Sequence, residues 1–265
     1  MKIVQVDPQS DLADKITYRT NNQNSVDLRD QRSTDATQRQ LQREVSEAFL
    51  GTFGYSIRAG ERALVPEVLD NAFAAQLLMA VYVEEPWNAV RKVRLFDEDY
   101  HRIFNRRVTA HRLRMVYEFA TLIDESRPDL LPTLQASFAS IRFTLAYLLM
   151  RVLRQSADGD RFVEKPDLWL PERVVVVRGA LKSVLDDVVD AVNFYVEERL
   201  EPPQDEREDN ADVPLFDPKV AFKSRTGVVQ LEAAVLRSIR ADARRTARRE
   251  NRGGDGLAFG VEPVR

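Results

Sequence analysis

No cysteine occurs in the 265-residue chain, and its only histidines are His101 and His111. The first absence excludes a disulfide framework, a cysteine nucleophile, an iron–sulfur cluster and a thiolate zinc site. The second leaves too few imidazoles for a three-histidine metal site and argues against a Ser-His-Asp triad. Long apolar runs are missing as well. The longest, residues 143–150, is closed off by Arg142 and Arg151 and falls far short of the ~20 residues that a membrane span needs. The opening Met1-Lys2-Ile3-Val4-Gln5-Val6-Asp7 carries too short an apolar stretch for a signal peptide. Ten glycines and twelve prolines exclude collagen-like or low-complexity character. The expectation is a soluble, cytoplasmic protein with no membrane partner.

What the chain does have is charge. Charged residues make up 31% of it, yet the formal net charge is only -3. The molecule as a whole is therefore not a basic polyanion binder, which leaves the question to local patches. With 44% hydrophobic residues and a mean hydropathy of -0.37, it has room for one large domain or two small ones around a buried core.

The pattern predicts a mostly α protein, a multi-helix bundle with one or two short β-strands near the N-terminus. Ile3-Val4-Gln5-Val6 alternates as a strand and stops at Asp7-Pro8. Ser10 offers a cap for a helix over residues 11–19. The polar run that follows favours a loop, because its amides compete for backbone hydrogen bonds. Ser33 and Thr34 are the expected caps of a helix reaching about Leu50, with Leu41, Val45, Ala48 and Phe49 on its apolar face. Pro66 is expected in the first turn of another, with Val68, Leu69, Ala72, Phe73, Leu77, Ala80 and Val81 as its stripe. A helix after Thr109, an apolar one over residues 131–153 and one carrying Leu181, Val184, Leu185, Val188, Val192 and Tyr195 complete the bundle.

Charge segregates towards the end. Residues 197–212 hold eight acids against two arginines, a net of -6, with Pro202-Pro203 inside, and read as a solvated linker. Residues 237–252 hold seven arginines against two acids, a net of +5. The expected organisation is a small α/β segment over residues 1–60, a helical domain over 61–200, an acidic linker over 201–218, a basic helix over 219–250 and a disordered tail over 251–265.

Two candidate sites emerge. In the first, Thr20, Asn21, Asn22, Gln23 and Asn24 are followed by Arg29 and Arg32. Side-chain amides can read base edges or sugar hydroxyls while arginines pair with phosphate. The bland alternative is that the amides satisfy a buried turn. In the second, Arg237, Arg240, Arg244, Arg248 and Arg252 fall within about a third of a helix circumference. Leu236, Ile239, Ala243 and Ala247 take another face, so such a helix packs on one side and presents arginine to phosphate on the other. Its alternative is a solvated face, or one neutralised by the acidic segment.

Two weaker patterns carry little. Asp97 and His101 form an i, i+4 pair without an evident third metal ligand. The order Asp160-Arg161-Phe162-Val163-Glu164-Lys165 superficially matches a restriction-nuclease arrangement, but adjacent Glu and Lys would point to opposite faces of a strand. No catalytic residue, metal ligand or cofactor is assigned.

The N-terminal third carries an ordered set of motifs. These are Lys2-Ile3-Val4-Gln5-Val6, Asp14-Lys15-Ile16-Thr17, Thr20-Asn21-Asn22-Gln23-Asn24, Asp27-Leu28-Arg29 and Gln38-Arg39-Gln40-Leu41-Gln42. Further on come Gly54-Tyr55-Ser56-Ile57-Arg58-Ala59-Gly60-Glu61, Glu85-Pro86 and Leu95-Phe96-Asp97-Glu98-Asp99-Tyr100. In order and approximate spacing this resembles the abortive-infection phage-resistance (AIPR) family of bacterial antiphage proteins, over roughly residues 1–155. The order of strand, helix, amide loop and new helix is also similar, by analogy only, to the ParB-like fold of nucleic-acid and nucleotide binders.

Family members are typically much longer, many with an upstream nuclease-like region. They also carry an Asn-Gly-x-Gln-Thr element before the strand with which this chain begins. The resemblance therefore implies the C-terminal portion of such a protein, from a split or truncated gene, with the relatives' enzymatic activity not carried over. The expected function is a non-catalytic helical module in phage defence that contacts nucleic acid or a separately encoded N-terminal half, with a homo-oligomer left open. The alternative is a nucleic-acid-binding regulatory protein unconnected to defence. An independent hydrolase is disfavoured by the scarcity of histidine and the absence of cysteine.

Overall fold

In a computed structural model, residues 32, 35–58, 64–168, 174–200 and 216–250 are described. The expected strand at Ile3–Val6, the helix over 11–19, the caps Ser33 and Thr34, most of the acidic linker and the C-terminal tail lie outside the described residues. What is described is mostly α-helical, with one small parallel two-stranded sheet. It divides into two compact units. One holds the described residues up to Ala75 together with Arg91–Ala110, the other Gln76–Val90 together with the described residues from His111 onward.

In the first unit, α1 (Ala36–Ala48) begins at Asp35, whose carboxylate accepts from the Thr37 amide. It ends where Gly51 takes a left-handed φ of 70°, a conformation that glycine adopts without a Cβ penalty. Leu41 and Val45 are buried as expected, and so is Gln38. Strands β1 (Phe53–Ser56) and β2 (Glu67–Asp70) pair in parallel, Tyr55 opposite Leu69.

The expected helix from Pro66 is thus corrected, because Val68 and Leu69 are strand residues and only Asn71–Val81 forms the helix, α2. The side chain of Asp70 explains the boundary by accepting from the amides of Ala72 and Phe73, a cap that starts a helix after it. The boundary between the two units falls within α2.

Short helices α3 (Pro86–Ala89), α4 (Lys92–Leu95) and α5 (Tyr100–Ile103) follow. Phe96, Tyr100 and Phe104 cluster with ring centroids 5.2–6.4 Å apart. Against them lies a buried polar chain. Tyr55 donates to Gln38 Oε1 at 2.6 Å, Gln38 Nε2 donates to the Tyr100 hydroxyl at 3.3 Å, and Gln42 Nε2 donates to the Tyr55 carbonyl at 3.1 Å. Burial pushes the Tyr100 hydroxyl up to about 12, against the pull of its bond to Gln38.

The second unit is built on α6 (Ala110–Glu125), α7 (Pro132–Gln135), α8 (Phe138–Leu153), α9 (Ala157–Glu164), α10 (Val174–Leu200), α11 (Pro218–Ala221) and α12 (Arg225–Glu250). The apolar run expected over 131–153 is two helices, broken at Ala136 and Ser137. Apolar on nearly every side, α8 is buried along its length and packs against α10, α3, α12 and α9. A charged seam ties α6 to α10, where the buried Glu118 meets both Arg114 and Arg178. Asn193 of α10 clamps the approach to α7, accepting from the Leu131 amide at 3.1 Å and donating to the Asp129 carbonyl at 2.8 Å.

The buried amide of Gln38 generates a stability prediction. Gln38→Leu keeps the volume but removes the hydrogen bonds to both tyrosine hydroxyls, and should cost about 1–3 kcal/mol. Urea unfolding measures it, and an unchanged midpoint would contradict a structural role for the amide.

Candidate nucleic-acid interface

Helix α12 starts against Ser224, whose hydroxyl accepts from the Gly227 amide at 3.0 Å. A Cβ at Gly227 would stand 2.2 Å from the Ala221 carbonyl oxygen, so only glycine allows this approach. Val228, Leu231 and Val235 are fully buried against α10 and α8, and Ile239 is half-buried. Continuing that spacing brings Asp242 and Ala243 to the same face, neither with apolar bulk to bury. Packing therefore stops, and residues 240–244 are all exposed. This corrects the expected apolar face: Leu236 is half-buried at its margin, and Ala243 is exposed.

Glu232 sets the rotation of the helix. Its carboxylate accepts from the Tyr147 hydroxyl at 2.5 Å and from Arg151 Nε at 2.6 Å, while Arg151 also reaches Glu84 at 3.4 Å. At about 100° per residue, Arg237, Arg240 and Arg244 fall within about 60° of one another on the face opposite the buried stripe. All three are exposed. Arg240 donates to Gln155 Oε1. Arg237 and Arg244 form no ion pair with any described residue. Arg248 belongs to the helix, but its side chain lies outside the described residues, as does Arg252.

The amide-loop candidate, with Thr20, Asn21, Asn22, Gln23, Asn24 and Arg29, also lies outside the described residues. Arg32 is described and is engaged in the first unit. Its guanidinium sits 4.5 Å from the Tyr100 ring centroid, its Nε donates to the Phe96 carbonyl at 3.3 Å, and it lies 3.9 Å from Asp35. His101 is exposed, edge-on to the Tyr100 ring at 5.3 Å. No cluster of three metal-capable side chains occurs among the described residues. Asp160 and Glu164 lie on a helix, both gripped by Arg154 at 2.8 and 2.6 Å, with Arg112 also on Glu164 at 3.1 Å.

Beside the arginine face runs a groove of about 340 Å³ between α10 and α12. Phe194, Tyr195, Glu198 and Arg199 line it from α10, Arg237 and Ser238 from α12. The two helices run antiparallel, since Asp187, earlier on α10, feels the charge of Asp242, later on α12. Tyr195 makes a rigid floor. Arg199 stacks on its ring at 3.6 Å and donates to its carbonyl at 3.3 Å, and Phe216 meets it edge-on at 6.1 Å. Phe194 is 58% exposed. The sequence carried a signal for it, because on a helical wheel Phe194 falls about 180° from the stripe of Leu185, Val188, Val192 and Val196.

The chain matches no protein-family model, no curated protein and no solved structure.

Acid gathers at the other end of the seam. Burial and the repulsion of Asp190, Asp186 and Asp242 push the Asp187 carboxyl above the usual carboxylate range. A carboxyl raised in the folded state binds its proton more tightly there than in the unfolded chain. Its ionisation therefore withdraws stability as pH rises through the ordinary carboxylate pKa of about 3.9. Asp187→Asn should raise the melting temperature at pH 7 and leave it unchanged near pH 3. Thermal unfolding across that range checks the sign, and a melting temperature lowered at pH 7 would contradict the repulsion.

Proposed function

We propose that this chain is a non-catalytic helical module of an abortive-infection-type antiphage protein, and that it contacts nucleic acid through the arginine ridge of α12. The observation that carries the contact is the end of packing at Ile239. About that point Arg237, Arg240 and Arg244 are all exposed, and Arg237 and Arg244 form no ion pair with any described residue. A net charge of -3 does not oppose this, because screening confines surface fields to about 10 Å at ordinary ionic strength and leaves the local patch to decide.

The defence assignment rests on the motif order in the N-terminal third. Gln38, Tyr55 and Tyr100, which belong to three separate motifs of that set, join in one hydrogen-bonded chain. In this reading the module contributes binding rather than cleavage.

Phosphate contact makes affinity fall with salt, with a slope of about 0.9 per neutralised phosphate. Changing Arg237, Arg244 and Arg248 together to Glu should abolish duplex binding in 100 mM salt. Each single change to Ala should lower the salt slope by about one. Fluorescence anisotropy with a labelled duplex measures both. Unchanged affinity and slope in the triple variant would overturn the ridge, and plaque counts unaffected by loss of the whole chain would overturn the defence role.

A further inference from the structure

We propose that the groove between α10 and α12 holds a nucleotide of single-stranded RNA, its base stacked on Phe194, its phosphates on Arg199 and Arg237, and its ribose hydroxyl on Glu198. The proposal rests on the ridge reading and assigns it a substrate class. Its ground is the company these side chains keep.

A large aromatic ring with 58% exposure forfeits the stabilisation of burial, roughly 1.5–3 kcal/mol for a side chain of this size, and lies on the solvent face of the amphipathic α10. Two guanidinium groups flank the groove that it lines. That of Arg199 is held in place by the Tyr195 ring and carbonyl, so little freedom is lost when it meets a phosphate. That of Arg237 forms no ion pair with a described residue. Aromatic platforms beside cations are how unpaired strands are bound, because every base offers a π-face and every linkage a phosphate. A paired base inside a duplex has no free face to offer, which separates this groove from the ridge.

Glu198 decides between the two kinds of single strand. It shares the groove with Arg237 but forms no ion pair with a described residue. An ionised carboxylate only accepts hydrogen bonds and repels phosphate, so its place in a polyanion groove calls for a donor on the ligand. The ribose 2′-hydroxyl is such a donor and is what distinguishes RNA from DNA at a protein site. Ser238, on the facing helix, adds a hydroxyl that can donate to the oxygen of the same group.

The experiment is anisotropy of the full chain with labelled single-stranded RNA, single-stranded DNA of the same sequence, and duplex DNA. The expected order is tighter binding of RNA than of DNA strands. Phe194→Ala should weaken RNA binding on the order of tenfold and leave duplex binding unchanged. Phe194→Trp should preserve the affinity and add a tryptophan signal that RNA quenches. Glu198→Gln should erase the preference for RNA over DNA. The 58% exposure of Phe194 makes these variants foldable, which intact duplex binding verifies. If Phe194→Ala binds RNA as the parent does while the duplex still binds, the groove is overturned and the ridge stands. If both single strands bind equally to the parent chain, ribose recognition is overturned. If no nucleic acid binds at all, the ridge and the groove fail together.

Discussion

The carboxylate of Glu232, held between the Tyr147 hydroxyl and the Arg151 guanidinium, fixes how the last long helix lies on the second unit. Its side chain is only 12% exposed, and an ionised group at that depth is tolerated because two donors, one of them charged, replace its water. The bond to Tyr147 also adds to burial in holding that phenol protonated, well above its ordinary range. A helix with an apolar stripe alone can roll by a fraction of a turn at small cost. One that carries a bound carboxylate within the stripe cannot. The rotation chosen sends Val228, Leu231 and Val235 inward, Arg237 and Arg244 outward, and opens the groove on the side of α10.

From that constraint the surface follows. The stripe ends at Ile239 because the following positions on the same face are Asp242 and Ala243, and Arg240 and Arg244 are exposed. On the α10 side, Tyr195 is pinned by Phe216 and Arg199, which leaves Phe194 on the outer face. Acidic charge collects instead around Asp187, about two turns further along the seam. Along this helix pair Arg199 and Arg237 flank the exposed aromatic ring, while Asp242 faces the acids around Asp187.

Much of the fold was legible in the residues. The mostly α architecture, the stripes of α1, α6 and α10 and the central place of the apolar helix follow from spacing alone. The error at residues 66–70 has a local cause. Pro66 and an apolar run suit a helix start, but the Asp70 cap and the partner strand at Phe53–Ser56 win, and a strand partner cannot be read from periodicity. The contacts that orient the elements were not legible either. Glu232 finds Tyr147 85 residues away and Asn193 finds Leu131 62 residues away, and nothing in either segment announces the other. The arginine ridge was readable as a pattern and Phe194 as an outlier on a wheel. The groove was not, because it depends on the antiparallel register of two helices.

Backbone hydrogen exchange along α12, with and without a single-stranded oligonucleotide, tests most directly the claim that packing ends at Ile239 and that the turns beyond it await a polyanion. Amides from Val228 to Ile239 should be strongly protected in the free protein, with protection falling away over the next turn and extending towards Glu250 when the oligonucleotide is added. Uniform protection to Glu250 in the free protein would mean that the arginine turns are already covered. Protection that does not respond to the oligonucleotide would mean that they are not a binding surface.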